Sequence, residues 1–148
     1  MATAESCPLT PSHPPKARSQ TSFKHLLPTI KHSLIHLRHN HNKHEPQYFS
    51  AVSQLTDAEL ISFNENDLVE VRVGKVAYGI IVFGKVRLPK SEGGFVFVRW
   101  FVGGEDGDVE EGEVKYKFHS FYTEEGDEGT GGYRAIIGEG DELKLFDE

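Results

Sequence analysis

The chain has 148 residues, 37% of them hydrophobic, and a formal net charge of −7 at pH 7. That is enough for one small domain, and a single cysteine, Cys7, excludes an intramolecular disulfide framework. The charge is unevenly divided: residues 1–46 carry a net +4, 47–66 a net −3, 67–102 a net +3 and 103–148 a net −11, and an end that acidic repels phosphate and disfavours nucleic acid as a partner.

Residues 1–22 are rich in Pro, Ser and Thr and poor in aromatic side chains, so composition predicts too little buried surface to offset backbone ordering. Pro8, Pro11, Pro14 and Pro15 interrupt the apolar centre that a secretory signal requires. A reducing intracellular compartment, nuclear or cytoplasmic, is the expectation. Residues 16–43 are basic, Ser-containing and free of acid, which leaves a mitochondrial presequence as the minority alternative. From Thr29 to His39 a short helix is predicted, capped by Thr29 and carrying Ile30, Leu34 and Leu37 on one face, with Pro28 limiting it upstream. Residues 1–50 therefore read as a basic, His-rich, disordered tail with a short helix. Thr56-Asp57-Ala58-Glu59 is a capping-box pattern that opens a further helical turn, which Asn64-Glu65-Asn66 ends.

Beyond Asp67 the period changes to two. Val69, Val71 and Val73 alternate with Glu70 and Arg72, which predicts a strand with a valine row on one face. Gly74-Lys75 is a turn candidate. Residues 76–83 are apolar on both faces, well short of the ~20 residues of a membrane-spanning helix, and Gly79 among them suggests a bulge or a close backbone approach. Residues 89–94, Pro-Lys-Ser-Glu-Gly-Gly, predict a chain reversal, and Phe95 to Val102 predicts the strongest strand. Glycine and acid then fill 103–113. Val114, Tyr116 and Phe118 alternate with Lys115, Lys117 and His119 as a half-buried strand, and Tyr133–Ile137 and Leu143–Phe146 read as two short final strands. Five or six strands at this spacing predict a mainly β fold, a small barrel over residues 60–148.

Chemistry-bearing patterns are sparse. His25, His32, His36, His39, His41 and His44 precede the sheet, and on a helix His32, His36 and His39 share a face, a workable start for a transition-metal site. No cysteine or carboxylate joins them at ligand spacing, so no metal residue is assigned and metal binding by the tail is an alternative reading. The acidic run Glu105 to Glu111 lacks the ligand order of a helical calcium loop and reads as a solvated charge block. His119 and Ser120 are strand neighbours that point to opposite faces, and no phosphate-cradling glycine loop is present, so neither an enzyme nor a cofactor is expected. In Phe95 to Val102 both faces are apolar: Val96, Val98, Trp100 and Val102 on one, Phe95, Phe97, Arg99 and Phe101 on the other. Either both rows are packed, or one is a contact surface. Under the second reading the partner-binding residues are Tyr78, Phe95, Phe97 and Trp100, with Phe101, Tyr116 and Phe118. An aromatic cage for a methylated lysine, drawn from Tyr78, Trp100, Tyr116 and Phe118 with Phe121, Tyr122 and Tyr133, is its sharpest form.

Residues 67–71, Asp-Leu-Val-Glu-Val, followed by a glycine-interrupted strand and Val98-Arg99-Trp100-Phe101, resemble the opening half of bromo-adjacent-homology and Tudor-like barrels, chromatin modules with an SH3-like core. Tyr78-Gly79-Ile80-Ile81 with Val98-Arg99-Trp100 is also similar to a barrel segment of transposon-derived proteins. The resemblance covers about 35 residues, implies an architecture, and carries over no functional residue. The expectation is a non-enzymatic interaction module for a protein or basic peptide, a histone tail among them, without membrane or nucleic-acid partners. A transposon-derived fragment with no preserved activity is the alternative.

Overall fold

In a computed structural model the described residues are 10–44, 49, 52–76, 79–91, 93–103, 115–123, 136–138 and 143. They form a helix α1 (Ala17–His44), a short helix α2 (Asp57–Leu60), a 3-10 turn (Glu65–Asp67) and strands β1 (Leu68–Val76), β2 (Gly79–Arg87), β3 (Gly94–Gly103), β4 (Lys115–Phe121) and β5 (Ile137–Gly138). The sheet is antiparallel in the order β1-β2-β3-β4, with the two-residue β5 pairing the start of β3. The fold is mainly β, as expected. Among the described residues β1 and β4 are opposite edges with no pairing between them, so the sheet is open rather than a closed barrel of five or six strands.

The helix departs most from expectation. It begins at Ala17, not Thr29, and contains Pro28 in its interior. A proline there removes one backbone donor and crowds the carbonyl a turn before, a cost of about 3 kcal/mol. Phe23, Leu26, Ile30 and Leu34, spaced by three, four and four residues, are all buried against the sheet and offset it. Residues 10–44 are thus part of the fold rather than a disordered tail. Averaging over the Pro/Ser/Thr-rich start hid this apolar stripe; residues 1–9 lie outside the described residues.

Residues 10–13 run along the outer edge of β1. The Thr10 amide donates to Val73 O at 2.9 Å and the His13 amide to Val71 O at 3.1 Å, while the Val71 amide donates to His13 O at 2.8 Å. Arg72 ties both ends of the chain to this edge, donating from Nε to Thr10 O and from Nη1 to Leu143 O, each at 3.0 Å.

Val76 pairs with Gly79 and Gly74 and Lys75 pair with Ile81 and Ile80 inside the ladder, so the first reversal is not at Gly74-Lys75. A register shift between Leu68 and Glu70 pushes Val69 outward, leaving it 36% exposed, and Leu68 takes the inner place the alternation had given to that valine. The second reversal occupies the predicted glycine-rich turn: the Leu88 amide donates to Gly94 O at 2.9 Å, and Gly93 has φ 72°, a left-handed conformation that disfavours a side chain. Strand β2 is buried on both faces up to Val86. Its even-numbered face, with Val96, Val98, Trp100 and Val102 of β3, packs under α1; Ile81, Phe83 and Phe97 pack with Leu143 on the other. Of the two last predicted strands, only Ile136, Ile137 and Leu143 fall within the described residues.

The connection into the sheet is held by polar clamps. The capping box forms: the Glu59 amide donates to Thr56 Oγ1 at 3.2 Å and the Thr56 amide to Glu59 Oε1 at 3.0 Å. Buried Asp67 accepts from the Asn64 amide at 2.8 Å and from Arg87 Nε and Nη2 at 3.1 and 2.9 Å. Arg38, its side chain buried, donates to Leu55 O at 2.7 Å and pairs with Asp57, whose other oxygen lies 3.0 Å from His39 Nε2.

The contact with His39, and after it that with Arg38, holds the Asp57 carboxyl below its ordinary range. A carboxylate depressed in the folded state stabilises above its unfolded value and loses that contribution as pH falls through the folded one. Asp57→Asn should therefore lower the melting temperature at neutral pH, and the gap from the wild type should close in acid below about pH 4. A gap that stays constant into acid would contradict the clamp.

Candidate functional site

The residues expected to bind a partner do not converge. Trp100 is fully buried beneath α1, its ring centroid 5.8 Å from that of Phe23 and its Nε1 donating to Ser22 Oγ at 2.8 Å. Phe97 is buried on the opposite face, 5.8 Å from the Tyr122 ring. Phe95 is buried with Lys85 Nζ 4.8 Å over its ring, and Phe101 lies half-buried against His119 at 6.4 Å. Tyr116 is half-buried with its ring 4.6 Å from that of His25. Tyr78 and Tyr133 lie outside the described residues. Trp100 and Phe97 are therefore core residues rather than parts of an exposed aromatic face, because β3 is covered on both sides. The described members of the expected cage are likewise split between the two faces.

Of these residues Phe118, from the expected contact face, and Phe121, from the expected cage, line a cleft of about 370 Å³ between the second half of α1 and the end of β4. From α1 come His32, Ser33, His36, Leu37 and Asn40; from the strand and its exit come Phe118, His119, Ser120, Phe121 and Thr123. Helical spacing explains the first set, since residues 33, 36, 37 and 40 follow one another on a face turned toward β4. The second set depends on a register shift between Arg99 and Trp100, where the partner changes from Ser120 to Phe118 and His119 is the extra residue. The Phe118 and Phe121 rings lie 5.0 Å apart and supply the apolar surface. His32 and His36 stack at 6.0 Å between centroids. His119 is engaged elsewhere, its Nδ1 3.1 Å from Arg99 Nε. Ser120 Oγ is buried and has no hydrogen-bond partner among the described residues.

This lining can accept and donate hydrogen bonds beside an aromatic surface, a composition suited to recognition. Among the described residues no three metal-ligating side chains converge, and His39 turns to Asp57 rather than joining His32 and His36. Nor is any described helix long and apolar enough to cross a membrane.

The cleft adjoins an edge. Strand β4 ends the sheet order, and its ladder partner among the described residues is β3 alone. In an antiparallel strand alternate backbone N–H and C=O groups then point outward, away from β3. Lys115 and Lys117, both exposed, pair with Gly103 and Phe101 and so lie on the face opposite Trp100.

The sequence singles out the histidines and, separately, Phe118 and Phe121, but nothing in it joins the two sets. Ser33 and Asn40 are legible only with the helix register, and the placing of Ser120 and Phe121 beside them depends on the bulge in β4. The fold and cleft define a small β-rich protein: an antiparallel sheet with one long helix across it. No family model matches the chain, and no curated protein or solved structure matches it either.

Proposed function

We propose that this protein is a non-enzymatic interaction module that takes a protein or peptide partner in extended form along β4. The observation that carries the reading is the difference between the two sheet edges. The edge of β1 is already covered by residues 10–13 of the same chain, whereas β4 has no second strand among the described residues and stands beside a cleft with an aromatic lining. Main-chain pairing at such an edge supplies affinity, and a neighbouring pocket for a side chain supplies selectivity. The basic partner suggested by the acidic composition of 103–148 would have to meet segments outside the described residues. The SH3-like resemblance contributes an architecture to this reading and no site residue.

The test is selection of binders from a random peptide library against the full chain, followed by amide hydrogen exchange on the complex. Amides within 115–121 should gain protection. Protection confined to other elements, or a library that yields no binder, would remove the reading.

A further inference from the structure

We propose that His32 and His36 form a two-imidazole site for a divalent transition-metal ion on the α1 wall of the cleft, the zinc, copper and nickel class that imidazole nitrogen suits. Four residues apart on a helix, the two side chains lie one turn above the other on the same face. Both are exposed, and their rings stack at 6.0 Å between centroids with 15° between their planes. Neither ring is hydrogen-bonded to another described residue. The histidines beside them are engaged: His39 Nε2 lies 3.0 Å from Asp57 Oδ2, and His119 Nδ1 accepts from Arg99 Nε at 3.1 Å.

A metal–imidazole bond of about 2.0–2.1 Å places each ring centre roughly 3.2 Å from the ion, so two rings on one ion stand at most roughly 6.4 Å apart. The spacing of His32 and His36 falls inside that limit, and side-chain rotation on a fixed helix brings both nitrogens to one ion. Asn40, a turn beyond His36 and also lining the cleft, offers an amide oxygen, and water fills the remaining positions. The pair chelates only while this turn is helical. The ion therefore binds the folded chain and stabilises it. Charge also selects a cation. Among the described residues no lysine, arginine or carboxylate lines the cleft, and Lys115 and Lys117 lie on the sheet face away from Trp100 and α1. In sequence β4 is flanked by six acids within 103–113 and four within 124–132. Acid that close along the chain raises the local concentration of a cation and disfavours an anion. Magnesium and calcium need oxygen sets that this lining lacks, which leaves the imidazole-binding ions.

The experiment titrates the full chain with zinc chloride and, separately, with magnesium chloride, reading the imidazole resonances and the melting temperature. The first equivalent of zinc should saturate, shift the ring resonances of His32 and His36 together and raise the melting temperature, and magnesium should do none of these. His32→Gln and His36→Gln, each at an unchanged metal-free melting temperature because both side chains are exposed, should weaken that equivalent by at least about tenfold. Cys7→Ser and His41→Gln should leave it unchanged. The ring resonances identify the ligands in the unaltered chain, whatever a variant does to stability. Zinc that binds without saturation, or with an affinity indifferent to His32 and His36, is an adventitious ion only and overturns the site. Loss of the first equivalent in Cys7→Ser or His41→Gln overturns it as well. So does equal binding of magnesium that disappears when Glu124, Glu125, Asp127 and Glu128 are changed to their amides, since carboxylates would then hold the ion.

Discussion

Trp100→Ala is expected to destabilise the fold by about 3–5 kcal/mol, the range for deleting a buried large aromatic. The indole is fully buried, lies against Phe23, and bridges the sheet to α1 through Ser22, whose hydroxyl donates in turn to Ser19 O at 3.0 Å. Its seat is shaped by a missing side chain. A Cβ at Gly84 would stand 2.8 Å from Trp100 Cζ3 and 2.8 Å from Leu68 Cδ1, so the ring occupies the space that glycine leaves on β2. Truncation opens a cavity there and removes the donor that Ser22 Oγ receives. Urea denaturation followed by circular dichroism should show a lower midpoint with little change in slope. Trp100→Phe should lose less, since it keeps most of the ring volume and sacrifices only the hydrogen bond and part of the contact with Phe23. Had Trp100 been an exposed cage residue, its removal would have stayed within about 0.5 kcal/mol. That smaller result would contradict the packing described.

Gly79→Ala should cost at least about 1–3 kcal/mol by overpacking, with the damage centred where β2 meets β3. The new Cβ would press on the carbonyl oxygen of Val102, stand 2.9 Å from Gly103 Cα and touch Phe101 Cζ at 3.0 Å. Two of those neighbours are backbone, and they cannot rotate away as a side chain can. Gly79 pairs with both Val76 and Gly103, so relief must open one of the two ladders. Amide exchange should show lost protection at the start of β2 and the end of β3 before any global change. Gly93→Ala is the contrasting variant. Nothing lies within 4 Å of its added Cβ, and its cost should be confined to the left-handed backbone, about 1–2 kcal/mol, with the ladders intact. Equal ladder disruption by both variants would refute the close-approach account.

Local signals in the sequence were reliable where one short-range effect acted alone. The Thr56 to Glu59 capping box, the glycine-rich reversal before β3, the run Phe95 to Val102 and the close approach at Gly79 all carry their cause within a few residues. Long-range effects were not legible in the same way. Pro28 argued for a helix start because its local penalty is large, and only the burial of Phe23 and Leu26 on the sheet shows why the helix continues through it. Val69 was placed inward by a strict alternation that the shift at Leu68 breaks. The aromatic row of β3 looked like a candidate contact surface because its cover comes from distant segments: α1 on one side, Leu143 on the other. The cleft depended on two such effects together, the extended helix and the bulge in β4. No pattern of spacing within either segment announces a neighbour from the other.

The Ser22–Trp100 hydrogen bond joins residues 78 positions apart. Closing a chain loop of that size costs only about 2 kcal/mol more in entropy than closing a hairpin of a few residues, because the dependence on length is logarithmic. The helix is consequently anchored by what it docks against and scarcely at all by the length of chain that separates it from β3. The segment between α1 and α2 is docked as well, with Phe49 and Val52 buried in the same core and Leu55 O accepting from Arg38, so both ends of the helix gain their hold from contact rather than from sequence proximity.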